Sequence, residues 1–255
     1  MTRIPAVVRR EWTAAFASPI AYVVCAVFAG LSGYFFSSGF NYFSLISFQA
    51  GRNPYLVDLN VNQMVLAPTF GNMSIILLLM LPLLTMRLLA EEKRSGTFEL
   101  VMSYPVREME IILGKYLAAL LVFAVMLLPT VLFPILASVL AETDLGPVVT
   151  AYLGLFLLGG AFIALGLFLS SLTENQIVAA VLTFGALLGL WMIGWVSGIS
   201  GSAWARVLAQ ISIIEHFDSF AKGILDTHDL VYYLVFIVFF LFLTGRSVES
   251  SRWRG

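Results

Sequence analysis

Serine, histidine and paired glutamate residues are the side chains of this chain that could do chemistry. Gly30-Leu31-Ser32-Gly33 and Gly198-Ile199-Ser200-Gly201 match the G-x-S-G pattern of intramembrane serine proteases. A nucleophilic serine needs a base, and both histidines, His216 and His228, are expected outside the apolar segments. The pair Glu91-Glu92 lacks the arginine of the E-E-x-x-x-R protease pattern, since position 96 is glycine. We predict no catalytic residue, and a membrane enzyme stays an alternative.

The sequence contains no recognised metal-binding or nucleotide-binding pattern. The two histidines have acidic neighbours, but the spacing of these residues matches no recognised zinc-ligand pattern. The chain also contains no G-x-x-x-x-G-K-[ST] phosphate loop. We therefore predict no metal site and no cofactor on this chain, and we expect any ATP and Mg²⁺ to bind to a partner protein.

Six apolar segments are long enough to cross a bilayer, for which a helix needs about 20 residues. Apolar residues make up 60% of the 255 residues and charged residues 11%, whereas a soluble protein has about 25% charged residues. The mean hydropathy is +0.95. The sequence predicts an all-α membrane protein with spans at residues 20–40, 70–89, 112–141, 149–172, 177–196 and 230–245.

Lysine and arginine lie mainly on one side of these spans. The side that holds the amino terminus receives eleven of them and the other side three, whereas the acidic residues divide eight to seven. Because cytoplasmic loops are rich in Lys and Arg, both termini are predicted to be cytoplasmic, in a multi-pass protein of the cytoplasmic (inner) membrane. The net charge of −1 favours no nucleic-acid partner, and membrane lipid is the expected surrounding.

The chain is predicted to be a single membrane domain, residues 1–255, with three further segments. Residues 1–19 have the pattern of an interfacial helix that stops at Pro19. Residues 197–229 have the pattern of a surface or re-entrant helical pair on the outer side, closed by Gly223. We expect this pair to form an outer gate, with Trp204, His216, Phe217 and Phe220 as its residues.

The third segment, residues 90–110, is the most charged stretch between two spans. The second span is predicted to continue through Arg94, to break at Ser95-Gly96, and to restart as a short helix over residues 97–103 that ends before Pro105. Exposed Phe98, flanked by both charge signs, suits docking on a protein partner. A solvated loop that only orients the spans is equally compatible with this pattern.

Residues 91–100, followed by Tyr104-Pro105-Val106 and Gly114-Lys115, resemble the E-E-K-R-x-G-T-x-E-L-L…P-V…G-K signature of ABC-2 type permeases. Residues 17–22, 166–176 and 216–220 extend the resemblance to the branch that contains the gliding-motility permease and the related permease of nitrous-oxide reductase maturation. The resemblance implies a six-span permease subunit of an ATP-driven transporter. It also implies that such a subunit pairs with a second permease, identical or different, and with two ATPase subunits.

The resemblance further implies that a coupling helix between spans two and three docks on the ATPase, with Phe98 as its apolar contact. The residues assigned to this role are Glu91, Glu92, Lys93, Arg94, Ser95, Gly96, Thr97, Phe98, Glu99, Leu100 and Pro105. No ionisable side chain is expected in the middle of a span, which suits a lipid-linked or amphipathic substrate better than a small ion. We therefore expect the transporter to export a substrate of that kind. The alternative is a scaffold that transmits force to another machine, such as gliding or metalloenzyme maturation. A periplasmic accessory protein is a further predicted partner.

Overall fold

The computed structural model describes residues 4–50, 60–97, 108–141, 143–199 and 210–252. Every regular element in these ranges is helical. Six helical stretches are long and apolar enough to cross a membrane, which confirms the predicted all-α membrane protein. Numbered in chain order, they are span 1 (Pro19–Ala50), span 2 (Asn62–Arg94), span 3 (Glu108–Leu140), span 4 (Leu145–Ser171), span 5 (Gln176–Gly194, within a helix that runs to Ile199) and span 6 (Thr227–Ser250, within a helix that runs to Arg252).

Two shorter helices accompany the spans. The amino-terminal helix, Ile4–Ala17, precedes span 1, and the far-end helix, Glu215–Ala221, precedes span 6. The far-end helix is followed by Gly223 with a φ of 86°, a left-handed conformation that glycine adopts without strain. This agrees with the glycine stop predicted there. The first helix of the predicted outer pair, which includes Trp204, lies outside the described residues.

Spans 2 and 3 are interrupted helices. Span 2 consists of a π-helical turn (Asn62–Leu66), an α-helix (Ala67–Thr85) and a short α-helix (Ala90–Arg94). Span 3 runs as an α-helix (Glu108–Leu127), a 3₁₀ turn (Leu128–Val131) and a second α-helix (Leu132–Leu140). Pro129 lies in the 3₁₀ turn, and Pro82 lies one turn before the end of the long helix of span 2. Proline removes a backbone donor, so breaks at these places follow from the sequence.

Span 1 is longer than predicted. The expected end was residue 40, whereas the helix continues to Ala50. The added segment contains polar residues, which lower its hydropathy, but no proline or glycine that would end a helix. Phe43, in this segment, is buried. Hydropathy measures the apolar length and not the length of the helix, which explains the error.

Span 4 is the central helix of the bundle, because 72% of its most apolar stretch is buried against the rest of the chain. Glycines allow its neighbours to approach closely. A Cβ at Gly159 would lie 2.2 Å from the ring of Phe123, and one at Gly166 would lie 2.2 Å from Oγ1 of Thr85. Small residues at these two positions therefore allow close helix contact.

Spans 4 and 5 form an antiparallel hairpin with a short connection. Span 4 ends at Ser171, and the helix of span 5 begins at Gln176. Oδ1 of Asn175 accepts a hydrogen bond from the backbone N–H of Ile177 at 2.9 Å, which satisfies one of the free donors at the start of the helix. The bundle end with this hairpin and the amino-terminal helix is called the basic end, and the opposite end is called the far end.

Candidate functional site

The predicted coupling segment begins at the basic end, on the last turn of span 2. Glu91, Glu92, Lys93 and Arg94 belong to the short helix Ala90–Arg94. The chain then turns through Ser95 and Gly96, whose φ of 69° suits glycine, so the helix breaks where the sequence predicted. Thr97 is the last described residue before the gap. Phe98, Glu99, Leu100 and Pro105 lie outside the described residues, and their role in docking stays a prediction.

A buried lysine joins this segment to two other elements. Lys115, in the second turn of span 3, is 1% exposed. Its Nζ lies 2.9 Å from Oε1 of Glu92 in span 2 and 3.1 Å from Oε1 of Glu11 in the amino-terminal helix. Arg10 adds a second cation, with Nη2 at 2.6 Å from an oxygen of each glutamate. We call these four residues the charge cluster.

The charge cluster is electrically balanced, with two cations and two carboxylates. Its burial opposes ionisation of Glu11, but nearby Lys115 and Arg10 outweigh that effect and lower the pKa of this carboxyl group. The glutamate therefore stays ionised at neutral pH. Charge-assisted hydrogen bonds between buried partners are among the stronger polar contacts in proteins. Removing one partner would leave another charge buried without compensation.

Gly114 explains how the amino-terminal helix comes close enough to supply Glu11. A Cβ at Gly114 would lie 2.6 Å from Cγ1 of Val7, so only glycine leaves room for the helix at this point. The adjacent Lys115 then reaches across to the carboxylate. The pair Gly114-Lys115 was noted in the sequence as part of a signature, and its lysine was one of the eleven Lys and Arg residues counted on the side of the amino terminus. Its burial beside Ile111 and Ile112 is a finding of the structure.

Ser170 closes the break in span 2. The chain between Thr85 and Ala90 forms turns and leaves backbone groups without helical partners. Oγ of Ser170, in span 4, accepts hydrogen bonds from the N–H groups of Leu89 and Ala90 at 3.2 and 3.0 Å and donates one to the carbonyl of Met86 at 3.0 Å. Because an unpaired buried backbone group is costly, this hydroxyl holds the break in a defined shape.

Two further contacts extend these connections across the basic end. Nζ of Lys93 donates to the carbonyl of Ser171 at 2.6 Å, and Oγ of Ser171 donates to Oγ of Ser247 in span 6 at 2.9 Å. Both Ser170 and Ser171 are buried, although they lie at the end of span 4. On the other side, Arg87 donates to Ser18 at 3.0 Å. The segment that leads into residues 98–107 is thus bonded to span 4 and to the start of the chain, and Ser171 connects span 4 with span 6.

The predicted outer gate lies at the far end, and its described residues are buried. Phe217 and Phe220 pack against span 4, where a Cβ at Gly154 would lie 2.4 Å from Cβ of Phe220. The OH of Tyr233 donates to the carbonyl of Ile213 at 2.7 Å and links span 6 to the approach to this helix. The far-end helix is therefore packed into the bundle. Its role as a gate stays a prediction.

His216 is the centre of a polar cluster at this end. Its Nδ1 lies 2.6 Å from Oδ1 of Asp229 and its Nε2 lies 3.2 Å from the carbonyl of Gln210. The ring stacks on Tyr232 with centroids 3.9 Å apart. His228 lies nearby, with Nδ1 at 3.6 Å from the same Asp229 oxygen. One ligand atom of each of His216, His228 and Asp229 lies within 4.8 Å of the others, so the absence of a metal site stays a prediction. The hydrogen bond between His216 and Asp229 connects the far-end helix with span 6.

Within the described residues, Ser32 has no histidine beside it that could act as its base. Ser32 is fully buried in span 1, and its hydroxyl has no hydrogen-bond partner among the described residues. His216 is engaged at the far end by Asp229 and Gln210. Ser200 lies outside the described residues. Nothing in the described residues therefore supports the membrane-enzyme alternative.

Six helices that are long and apolar enough to cross a membrane define a polytopic membrane protein. Residues 5–254 match the family described as ABC-2 family transporter protein. The chain belongs to this family, whose members are the membrane components of transporters and work with an ABC ATPase. A comparison with curated proteins gives no match. The gliding-motility and nitrous-oxide reductase branch stays a prediction from the sequence.

Proposed function

We propose that this chain is the permease subunit of an ATP-driven exporter in the cytoplasmic membrane, and that its basic end faces the cytoplasm and docks on a separate ATPase. The single observation that carries the proposal is the charge cluster. It joins the amino-terminal helix, span 2 and span 3 at the point where the predicted coupling segment begins. The family match supports the transporter class. The excess of Lys and Arg at this end supports its cytoplasmic side.

The contacts at the basic end would transmit a movement of the coupling segment to the spans. A displacement of residues 98–107 by the ATPase would act first on spans 2 and 3, which flank this loop. Lys115 and Glu92 would keep these two spans together, and Glu11 would make the amino-terminal helix follow. Ser170 and Lys93 would pass the movement to span 4, and Ser171 would pass it to span 6. Nucleotide hydrolysis and its Mg²⁺ belong to the ATPase in this proposal.

Span 5 is the surface we assign to a second permease. Only 17% of its most apolar stretch is buried within this chain. Gly185 and Gly189 are spaced as G-x-x-x-G, and a Cβ at either position would meet nothing within 4 Å. Small residues at this spacing allow close helix pairing in membranes. A partner permease at span 5 would place the translocation path between two subunits, and a bundle without central charges suits a lipid-linked or amphipathic substrate.

The proposed function predicts which proteins accompany this chain. The full-length chain would be tagged at its carboxyl terminus and isolated in mild detergent from its own membranes. We expect an ATPase with a phosphate loop to co-purify with it, and the isolated complex to hydrolyse ATP. A reporter protein that is active only in the cytoplasm, fused to the same terminus, should be active. A preparation without such an ATPase, together with a periplasmic carboxyl terminus, would refute the proposal.

A further inference from the structure

The carboxylate of Asp229 is buried at the far end, where the described residues place no lysine or arginine beside it. Asp229 lies in the first turn of the helix of span 6 and is 6% exposed. Among the described residues, its ionic contacts are with His216 and His228. Buried carboxylates in proteins are paired with a cation or bind a metal ion. The two histidines are therefore where such a cation would be held.

Both ring nitrogens of His216 face acceptors. Its Nε2 lies 3.2 Å from the carbonyl oxygen of Gln210, and its Nδ1 lies 2.6 Å from Oδ1 of Asp229. A backbone carbonyl can only accept, and a neutral imidazole carries one hydrogen. A hydrogen bond to Gln210 therefore leaves the lone pair of Nδ1 facing a carboxylate oxygen. A cation at Nδ1, either a proton or a metal ion, is needed to join these two atoms.

His228 favours a metal ion over a proton. A shared proton would involve only His216 and Asp229, whereas Nδ1 of His228 also faces Oδ1 of Asp229, at 3.6 Å. One ligand atom of each of the three residues lies within 4.8 Å of the others. Two imidazoles and one carboxylate, with a water molecule in the fourth position, are a ligand set typical of zinc.

The distances between the three side chains are close to those of a tetrahedral site. Zinc binds nitrogen and oxygen at about 2.0–2.2 Å, which places neighbouring ligand atoms about 3.3–3.5 Å apart. The separation between His228 and Asp229 already has nearly this value. The shorter separation between His216 and Asp229 would widen by about 1 Å, which a rotation of the carboxylate about its terminal bond supplies.

The surroundings of the three side chains support the same ligand set. A metal-binding histidine usually donates its second N–H to a carbonyl or carboxylate, which fixes its orientation. Gln210 supplies that carbonyl to His216, and Tyr232 stacks on the same ring with centroids 3.9 Å apart. The backbone N–H of His228 donates to Oδ1 of Asp226 at 2.9 Å. The ligand residues are thus positioned by their neighbours.

An ion can reach these side chains from one side. The side chain of His228 is 66% exposed. A hollow of about 430 Å³ lies beside it and is lined in part by His228, Gln210 and Tyr232. The exposed face leaves room for the water molecule that would complete the coordination.

We propose that His216, His228 and Asp229 bind one divalent transition-metal ion, with Zn²⁺ as the ion that this ligand set favours. The ion joins the far-end helix, which carries His216, to the start of span 6, which carries the other two ligands. The prediction of no metal site came from spacing along the chain, whereas the fold brings together residues 13 positions apart. The inference goes beyond the proposed function and does not depend on it.

Metal binding by the purified full-length chain tests the inference without any ATPase. The chain would carry a tag without histidines, would be stripped with a chelator in detergent, and would be dialysed against radioactive Zn²⁺. We expect saturable binding of one ion per chain that excess Mg²⁺ does not displace, because Mg²⁺ prefers oxygen ligands. Since the ion binds only the folded chain, Zn²⁺ should also raise the melting temperature.

Two variants connect the binding to the three residues. His228→Asn removes an exposed ligand with little risk to folding, and Asp229→Asn keeps the size of the side chain but removes its charge. Each is expected to weaken Zn²⁺ binding about a hundredfold or more, since even the outer partners of metal ligands contribute 10- to 100-fold. Asp218→Asn is the matched control, because Asp218 is an exposed carboxylate of the far-end helix that pairs with Lys222. It should bind Zn²⁺ normally.

Three results would overturn the inference: no saturable Zn²⁺ binding, unchanged affinity in His228→Asn, or unchanged affinity in a folded Asp229→Asn chain. The last result would mean that His228 alone binds the ion at the surface. If Asp229→Asn fails to fold, His228→Asn and the stoichiometry decide. None of these results bears on co-isolation with an ATPase, so a failure here is distinct from a failure of the proposed function.

Discussion

Replacing Lys115 with methionine is expected to lower the free energy of unfolding by about 3–5 kcal/mol. Methionine keeps most of the apolar stem, so the change removes mainly the charge. Glu92 and Glu11 would then share Arg10, which is half exposed and already bonds to both. The cluster would then hold two carboxylates and one cation, so one negative charge would be left without compensation. The loss should be measured by equilibrium unfolding in detergent micelles at neutral pH.

Arg246→Met is the matched control for this prediction. Arg246 is also at the basic end, but it is exposed and pairs with Glu249 on the surface. Exposed ion pairs of this kind contribute at most about 1 kcal/mol. Equal losses in the two variants would contradict the charge cluster as described. A Lys115→Met chain that is fully stable would show that the amino-terminal helix is held by its apolar contacts alone.

Replacing Phe98 with alanine is expected to uncouple ATP hydrolysis from transport while the chain still inserts into the membrane. The reason comes from the sequence: Phe98 is a large apolar residue two positions after the break at Ser95-Gly96, and large aromatic anchors carry much of the energy of protein interfaces. Loss of such an anchor costs about 2 kcal/mol or more, which is about a thirtyfold loss of affinity for the ATPase. Binding and substrate-dependent ATP hydrolysis in reconstituted vesicles measure this.

The control for Phe98 is Phe239→Ala. Phe239 is an exposed aromatic of span 6, far along the chain from the coupling segment, and its removal should leave ATPase binding unchanged. Coupled activity at the normal level in Phe98→Ala would reject the docking role of this residue and favour the simpler interpretation of the loop as a connection that orients the spans.

The six spans and the helix break could be predicted because they depend on neighbouring residues. Apolar runs of sufficient length set the spans, and Ser95-Gly96 marks a local stop. The length of span 1 was underestimated for a local reason as well, since hydropathy falls after residue 40 while the helix continues to Ala50. Resemblance to the ABC-2 type permeases gave the family, which the match over residues 5–254 shows.

The charge cluster could not be predicted, because its partners are distant in the sequence. Glu11 and Lys115 are 104 positions apart, and Ser170 and Met86 are 84 positions apart. The sequence shows only a glutamate on an amphipathic helix and a lysine near the start of an apolar one. Whether that lysine reaches solvent or a carboxylate depends on how closely the amino-terminal helix packs at Gly114. Packing of this kind is visible only in three dimensions.

Site-specific cross-linking from residue 98 tests the central claim most directly. The chain has a single cysteine, Cys25, so a Cys25→Ser background is free of thiols. Phe98→Cys and Lys222→Cys then place one thiol in the predicted coupling helix and one at the far end, for a membrane-permeant thiol-to-amine cross-linker. The account predicts an adduct with an ABC ATPase from residue 98 and none from residue 222. An adduct from residue 222 alone, or none from residue 98 in a complex that hydrolyses ATP, would contradict it.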